Sequence, residues 1–279
     1  MNIQGLSSIP ASAPDDVRRI DVRGLSKTFQ LGGASIEAVS DVSFGVRRGE
    51  FVALLGPSGS GKSTVLNMIA TLIKSTGGEI LIDGRPVIAG KATPGVGYVF
   101  QRDTLFPWRT VADNIGYGLQ LAGVADAERR ERVAASVVQA GLQGFEDAYP
   151  SALSGGMRQR AALMRTLVVE PQILLMDEPF GALDTHTKID MHDVLLRIWE
   201  REKQTVIFVT HDLGEALTLA DRIILLSARP GRIKDMFEVD FPRPRDAVKV
   251  RETPRYAELF QHIWHSLGEE FRRTKAAAS

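Results

Sequence analysis

The chain contains no cysteine. Disulfides, thiolate nucleophiles and cysteine-bound metals are therefore excluded, and the composition suits a reducing compartment. It also lacks any long apolar run. Its apolar runs are as short as 223–226, far below the ~18 residues that cross a bilayer as a helix. The opening MNIQGLSSIPASAPDD has neither a basic head nor an apolar stretch, so it does not read as a secretory signal. Its Ser, Pro and Ala content reads as a flexible leader over 1–17. Neither sign of charge is in excess: Lys and Arg total 34, Asp and Glu total 34. That balance argues against a surface built chiefly to grip nucleic acid. Any membrane association is expected to come through a partner.

Apolar material, by contrast, is ample. Hydrophobic residues make up 44% of 279, enough for one α/β domain of roughly 200–250 residues and a small appendage. Residues 20–28 and 39–47 alternate apolar and polar side chains, as antiparallel strands do. Continuous apolar strands are expected at 51–55, 96–100, 173–176, 206–209 and 223–226, the pattern of a mainly parallel sheet. A helix is expected from about Lys62, a largely helical insert over 111–170, and a further helix over 184–200. From Phe241 a Pro/Arg break, FPRPRD, precedes an amphipathic helix with Leu259, Ile263, Trp264, Leu267 and Phe271. That helix is expected either to cover the domain's edge or to bind a partner.

Gly56-Pro57-Ser58-Gly59-Ser60-Gly61-Lys62-Ser63 fits G-x-x-x-x-G-K-[ST] between a strand and a helix, the context that gives this motif its meaning. The glycines let successive N–H groups turn inward as an anion nest at a helix N-terminus. Lys62 can reach terminal phosphates, and the Ser63 hydroxyl can ligate Mg2+. A nucleoside triphosphate site follows. The strand at 173–176 ends in Asp177 and Glu178. Asp177 is placed to hold Mg2+, and Glu178, pointing differently, to polarise a water. His211 ends the neighbouring strand and can reach the γ-phosphate and that acid.

Leu153-Ser154-Gly155-Gly156-Met157-Arg158-Gln159-Arg160 combines N-cap chemistry with two glycines that leave N–H groups open to an anion. This segment resembles the ABC signature motif, with Met157 where the commonest version has Gln. The resemblance covers about residues 18–240. It implies an ABC ATPase: an α/β P-loop core with a mainly parallel sheet, an antiparallel β subdomain and a helical subdomain at about 102–170, followed by a 241–279 extension.

Several roles are implied by that resemblance. Gly56, Pro57, Ser58, Gly59, Ser60, Gly61, Lys62, Ser63 and Thr64 hold ATP. Ser63, Asp177 and the Q-loop glutamine Gln101 serve Mg2+, and Glu178, His211 and Gln101 serve hydrolysis. Ser154, Gly155, Gly156 and Met157 contact ATP held by a second copy of the chain, and Ala182, Leu183 and Asp184 form a D-loop along the dimer axis. Phe29, where Tyr is commoner, either stacks on adenine or packs in the core. The segment at 105–115, with LSGGMRQR and FPRPRD, is similar to ATP-binding subunits of nitrate, sulfonate and taurine importers. Membrane permease subunits, and indirectly a periplasmic solute-binding protein, are then the expected partners, with the chain on the inner face of the membrane and no nucleic acid bound. Leu105, Phe106 and Trp108 are either core or a socket for the membrane subunit. A soluble ABC ATPase acting on nucleic acid or ribosomes is the alternative. It sits poorly with one cassette, no heptad run and zero net charge.

Overall fold

The computed structural model describes residues 18–278, except for the side chains of 271 and 273–278. The leader expected at 1–17 and the side chain of Phe271 lie outside the described residues. Two sheets carry the fold. One is antiparallel, in the order β2-β1-β4-β5, from β1 (Arg18–Leu31), β2 (Ala34–Arg47), β4 (Gly77–Ile82) and β5 (Arg85–Pro86). The other has six strands in the order β10-β9-β3-β8-β7-β6. These are β3 (Phe51–Leu55), β6 (Val96–Val99), β7 (Ile173–Asp177), β8 (Thr205–Thr210), β9 (Arg222–Leu226) and β10 (Ile233–Glu238). All its pairings are parallel except β10 against β9.

The continuous apolar runs have a direct physical cause. Side chains alternate between the two faces of a strand, and both faces of this sheet are covered. Phe51, Ala53, Leu55, Val206 and Phe208 enter one hydrophobic cluster, with α2 (Val111–Leu121), α4 (Gly155–Leu167) and α5 (Thr185–Glu202). Val52, Leu54, Ile207 and Val209 enter a second, with α1 (Lys62–Ile69) and the antiparallel sheet. No polar face is required, so none is written into the sequence.

Helix starts follow local chemistry. Thr110 accepts from Asp113 N (3.1 Å), and Asp184 accepts from His186 N and Thr187 N (both 3.1 Å). Asp212 caps the short α6 (Leu213–Leu219) through Gly214 N at 2.8 Å. Each side-chain oxygen satisfies donors that a helix cannot pair internally. Between α2 and α4 stands α3 (Asp126–Gln139).

The extension is knitted to the core. Arg245 is buried and donates to Ala220 O (2.6 Å) and Val239 O (2.9 Å), while Arg243 donates to Leu219 O (2.7 Å). Leu259, Ile263 and Leu267 of α7 (Pro254–Ala278) lie in the same cluster as β3. Trp264 does not: it is 53% exposed, one residue round the helix from Ile263. The strand expected to run to Phe100 ends at Val99, and Phe100 is exposed.

Candidate functional site

Parallel strands bring their C-terminal ends to one sheet edge. β3, β7 and β8 deliver there the 56–63 loop, the Asp177–Glu178 pair and the Thr210–His211 turn. A cleft of about 440 Å3 opens at that edge, lined by Phe29, Ser58, Gly59, Gly61, Lys62, Ser63, Thr64, Gln101, Glu178 and His211, with Ile36 and Arg229.

The loop is held in shape by close packing. Gly61 has φ +83°, and a Cβ there would lie 2.7 Å from Val39 Cγ2 and 2.8 Å from Ala38 O. A side chain is therefore excluded twice, by conformation and by space. Lys62 starts α1 and donates to Gly56 O (2.9 Å) and Pro57 O (3.0 Å), bending its ammonium back over the loop. Burial lowers its pKa, against the charges of Glu178 and Asp177, which raise it. Ser60 Oγ is buried without a hydrogen-bond partner.

Ser63 Oγ donates to Asp177 Oδ1 at 2.8 Å. Burial raises the Asp177 pKa; the Ser63 bond and Lys62 oppose that, and Glu178 adds to it. Glu178 stands at φ +45°, a backbone region that costs a non-glycine residue on the order of 1–3 kcal/mol. Its N–H continues the sheet ladder to Val209 O at 2.9 Å. The turn swings its carboxylate away from Asp177 to a different pair of neighbours. Gln101 Nε2 donates to Glu178 Oε2 at 3.2 Å, and His211 Nδ1 lies 3.1 Å from the same oxygen.

Residues with oxygen donors thus converge at Ser63 and Asp177, with Gln101 nearby. No cluster of three or more His, Cys, Asp or Glu able to hold a metal occurs among the described residues. One carboxylate and one hydroxyl, completed by substrate phosphates and water, is the donor set Mg2+ prefers. The residues fit that ion.

Phe29 is half-buried in the cleft wall, with Lys27 Nζ 4.9 Å from its ring centroid. The Ser154–Met157 segment is not part of this cleft. It opens α4, where Ser154 Oγ accepts from Met157 N at 3.3 Å, and Ser154 and Gly155 are exposed. It touches its own chain through Leu183, whose Cδ2 lies 3.3 Å from where a Gly156 Cβ would stand. Ala182 and Asp184 are exposed beside it. Gln159, which sequence reasoning left without a role, ties this helix to the site: its Nε2 donates to Pro179 O (2.9 Å) and Gln101 O (3.4 Å).

The family model described as "ABC transporter" matches residues 39–181. An uncharacterized ABC transporter ATP-binding protein of Methanocaldococcus jannaschii is 47% identical over 232 residues, covering 83% of this chain and 86% of that one. The chain belongs to the ABC transporter family. Other relatives of this cassette carry more specific names. The aliphatic sulfonates import ATP-binding protein of Bacillus cereus is 41% identical, covering 91% of this chain and 96% of its own. The nitrate import ATP-binding protein of a Synechocystis strain is 40% identical, covering 93% and 99%. Among solved structures, a dimeric ATP-binding cassette in a post-hydrolysis state bound to ADP and Pi matches with TM-score 0.72 and 33% identity, covering 80% of this chain and all of that one. The α/β cassette fold and the ATPase class expected from the motifs are those of this family.

Two further features of the cassette carry no motif. Arg229, at the cleft mouth, sits in a turn after β9 whose sequence gives no phosphate signal. Asn114, fully buried, accepts from Phe106 N (2.8 Å) and donates to Phe106 O, Arg109 O and Thr110 O (3.1, 3.1 and 2.9 Å). It shapes a loop that leaves Leu105 in the core and presents Trp108 at 71% exposure. Core packing accounts for Leu105 and does not account for Trp108.

Proposed function

We propose that this chain is the ATP-hydrolysing subunit of an importer for nitrate, a sulfonate, taurine or a related small solute. The observation that carries the hydrolytic part is the Glu178 carboxylate, flanked by Gln101 and His211 on the rim of the phosphate-loop cleft. Lys62 and the loop N–H groups bind the phosphate chain. Ser63, Asp177 and Gln101 would hold Mg2+, which would neutralise phosphate charge. Glu178 accepts a proton from the attacking water, and Gln101 and His211 keep its carboxylate aimed. Phe29 gives adenine an apolar face.

The Ser154–Met157 helix start, exposed at Ser154 and Gly155, completes the site in a second copy of the chain, across a D-loop contact at Ala182–Asp184. A helix N-terminus that lies outside its own cleft, with N–H groups open to an anion, is suited to that use. Closure and opening of the pair drive separate membrane subunits, which choose the solute together with a solute-binding protein. The chain docks at the membrane's inner face through them. No helix among the described residues is long and apolar enough to cross a bilayer. The solute class rests on the sulfonate and nitrate names of the relatives.

A direct test uses the Glu178→Gln protein, which should hold ATP without consuming it. With ATP and Mg2+, light scattering should show monomer converting to dimer, and ADP should return it to monomer. A monomer under every condition would remove the two-copy reading.

A further inference from the structure

Between β9 and β10 the chain reverses at 227–232, and this turn is braced on three sides. Within the turn, Ser227 N donates to Arg232 O (2.9 Å) and Arg232 N donates to Ser227 Oγ (3.0 Å). Toward the antiparallel sheet, Gly231 N donates to Ala38 O and Ser40 N donates to Gly231 O, both at 3.0 Å. Gly231 is so close to the phosphate loop that a Cβ there would overlap the Ser60 carbonyl oxygen. On the far side stands Glu270 of α7, fully buried. It accepts from Ala228 N at 2.9 Å and pairs with Lys234 Nζ at 3.1 Å.

The residue this bracing carries outward is Arg229. Its guanidinium lies 3.7 Å from where a Gly59 Cβ would stand, and it lines the cleft with Ser58, Lys62 and Phe29. Arg229 has no hydrogen-bond or ion-pair partner among the described residues. A planar five-donor cation carried on a braced turn beside an anion nest, exposed and with no carboxylate to neutralise it, is complementary to phosphate oxygens.

We propose that Arg229 is a further nucleotide-binding residue, its guanidinium pairing with the phosphate chain, and that Glu270 is the positioning residue through which α7 holds it there. This rests on the reading of the cleft as the ATP site. The C-terminal helix, whose described residues do not line the cleft, thereby tunes nucleotide affinity.

The test measures ATP affinity by displacement of a fluorescent ATP analogue, with Lys62→Ala as the control. Arg229→Gln should raise the ATP dissociation constant about 5-fold, the scale of one exposed charge pair. Arg229→Lys should recover most of that loss, and adenosine, which lacks phosphate, should compete equally in all variants. The salt dependence of ATP binding should be shallower in Arg229→Gln. Glu270→Ala should weaken ATP about 3-fold, Glu270→Gln, which keeps an acceptor for Ala228 N, should not, and Glu270→Ala should add nothing in the Arg229→Gln background. If Lys62→Ala weakens ATP while Arg229→Gln stays within 2-fold of the parent, the Arg229 assignment is wrong. If Lys62→Ala has no effect, the ATP site itself is misplaced. A Glu270→Ala loss that persists in full without Arg229 would reduce Glu270 to a structural brace.

Discussion

Asn114→Ala gives a sharp test of how the aromatic loop is built. The substitution removes four hydrogen bonds, but their loss is unequal. Phe106 O still accepts from Arg109 N at 3.1 Å, and Thr110 O still accepts from the backbone N–H of residue 114 at 2.9 Å. Phe106 N and Arg109 O lose their partners. Each orphaned group costs about 1–3 kcal/mol, so the variant should lose about 3 kcal/mol, roughly a 100-fold rise in the unfolded fraction. Asn114→Asp should be worse at neutral pH. It keeps an acceptor for Phe106 N but turns carboxylate lone pairs toward carbonyls, a buried charge without a counterion, costing about 4 kcal/mol. That carboxyl's folded pKa must then lie above its unfolded value, so the folded state binds more protons and the deficit shrinks as pH falls toward 4. Urea denaturation followed by fluorescence of the buried Trp199 measures both. An Asn114→Ala protein within 1 kcal/mol of the parent, or an Asp variant firmer than the Ala variant at pH 7, would refute the reasoning.

Two other outcomes are expected. His192 is buried against Phe180, and desolvation, helped by Arg251 and Lys188, lowers its pKa from 6.5 to about 3. Between those values the unfolded chain binds a proton that the folded chain refuses, so stability is lost as pH falls, by about 1.4 kcal/mol per unit. The stability curve of His192→Leu should be flatter by that slope from pH 6 to 4, and parallel curves would show that His192 does not carry it. Trp108→Asp should stay within about 0.5 kcal/mol of parental stability, because the ring is exposed. It should also lose co-purification with its membrane subunit, a contact worth ~2 kcal/mol at a hot spot. Unimpaired assembly would move the docking surface elsewhere.

What was legible in the sequence is what local chemistry writes. The phosphate loop announces itself because glycine spacing, strand and helix occupy adjacent residues. Ser154 and Asp184 announce helix starts because capping is settled within three residues. Residues whose meaning lies in distant partners stayed silent. The turn that carries Arg229 meets Glu270 through Ala228 and Ser60 through Gly231, Gln159 takes its place from Pro179, and Arg245 from the carbonyls of Ala220 and Val239. The strands β4, β5 and β10 were not anticipated. Two of them are short or glycine-led, and β10 follows a turn and holds only one buried residue, Phe237. Trp264 was misplaced onto the buried stripe because its neighbour Ile263 already fills that position; hydrophobicity alone does not say which of two adjacent residues faces inward.

The central claim is that Glu178 activates water at a cleft built to hold ATP. Phosphate release should be compared for the parent and Glu178→Gln proteins at saturating ATP and Mg2+, with ATP binding measured on the same samples. The account predicts unchanged or tighter ATP binding and turnover reduced by roughly 100-fold or more, the scale of a lost general base. Turnover within a few-fold of the parent, with ATP bound normally, would contradict it.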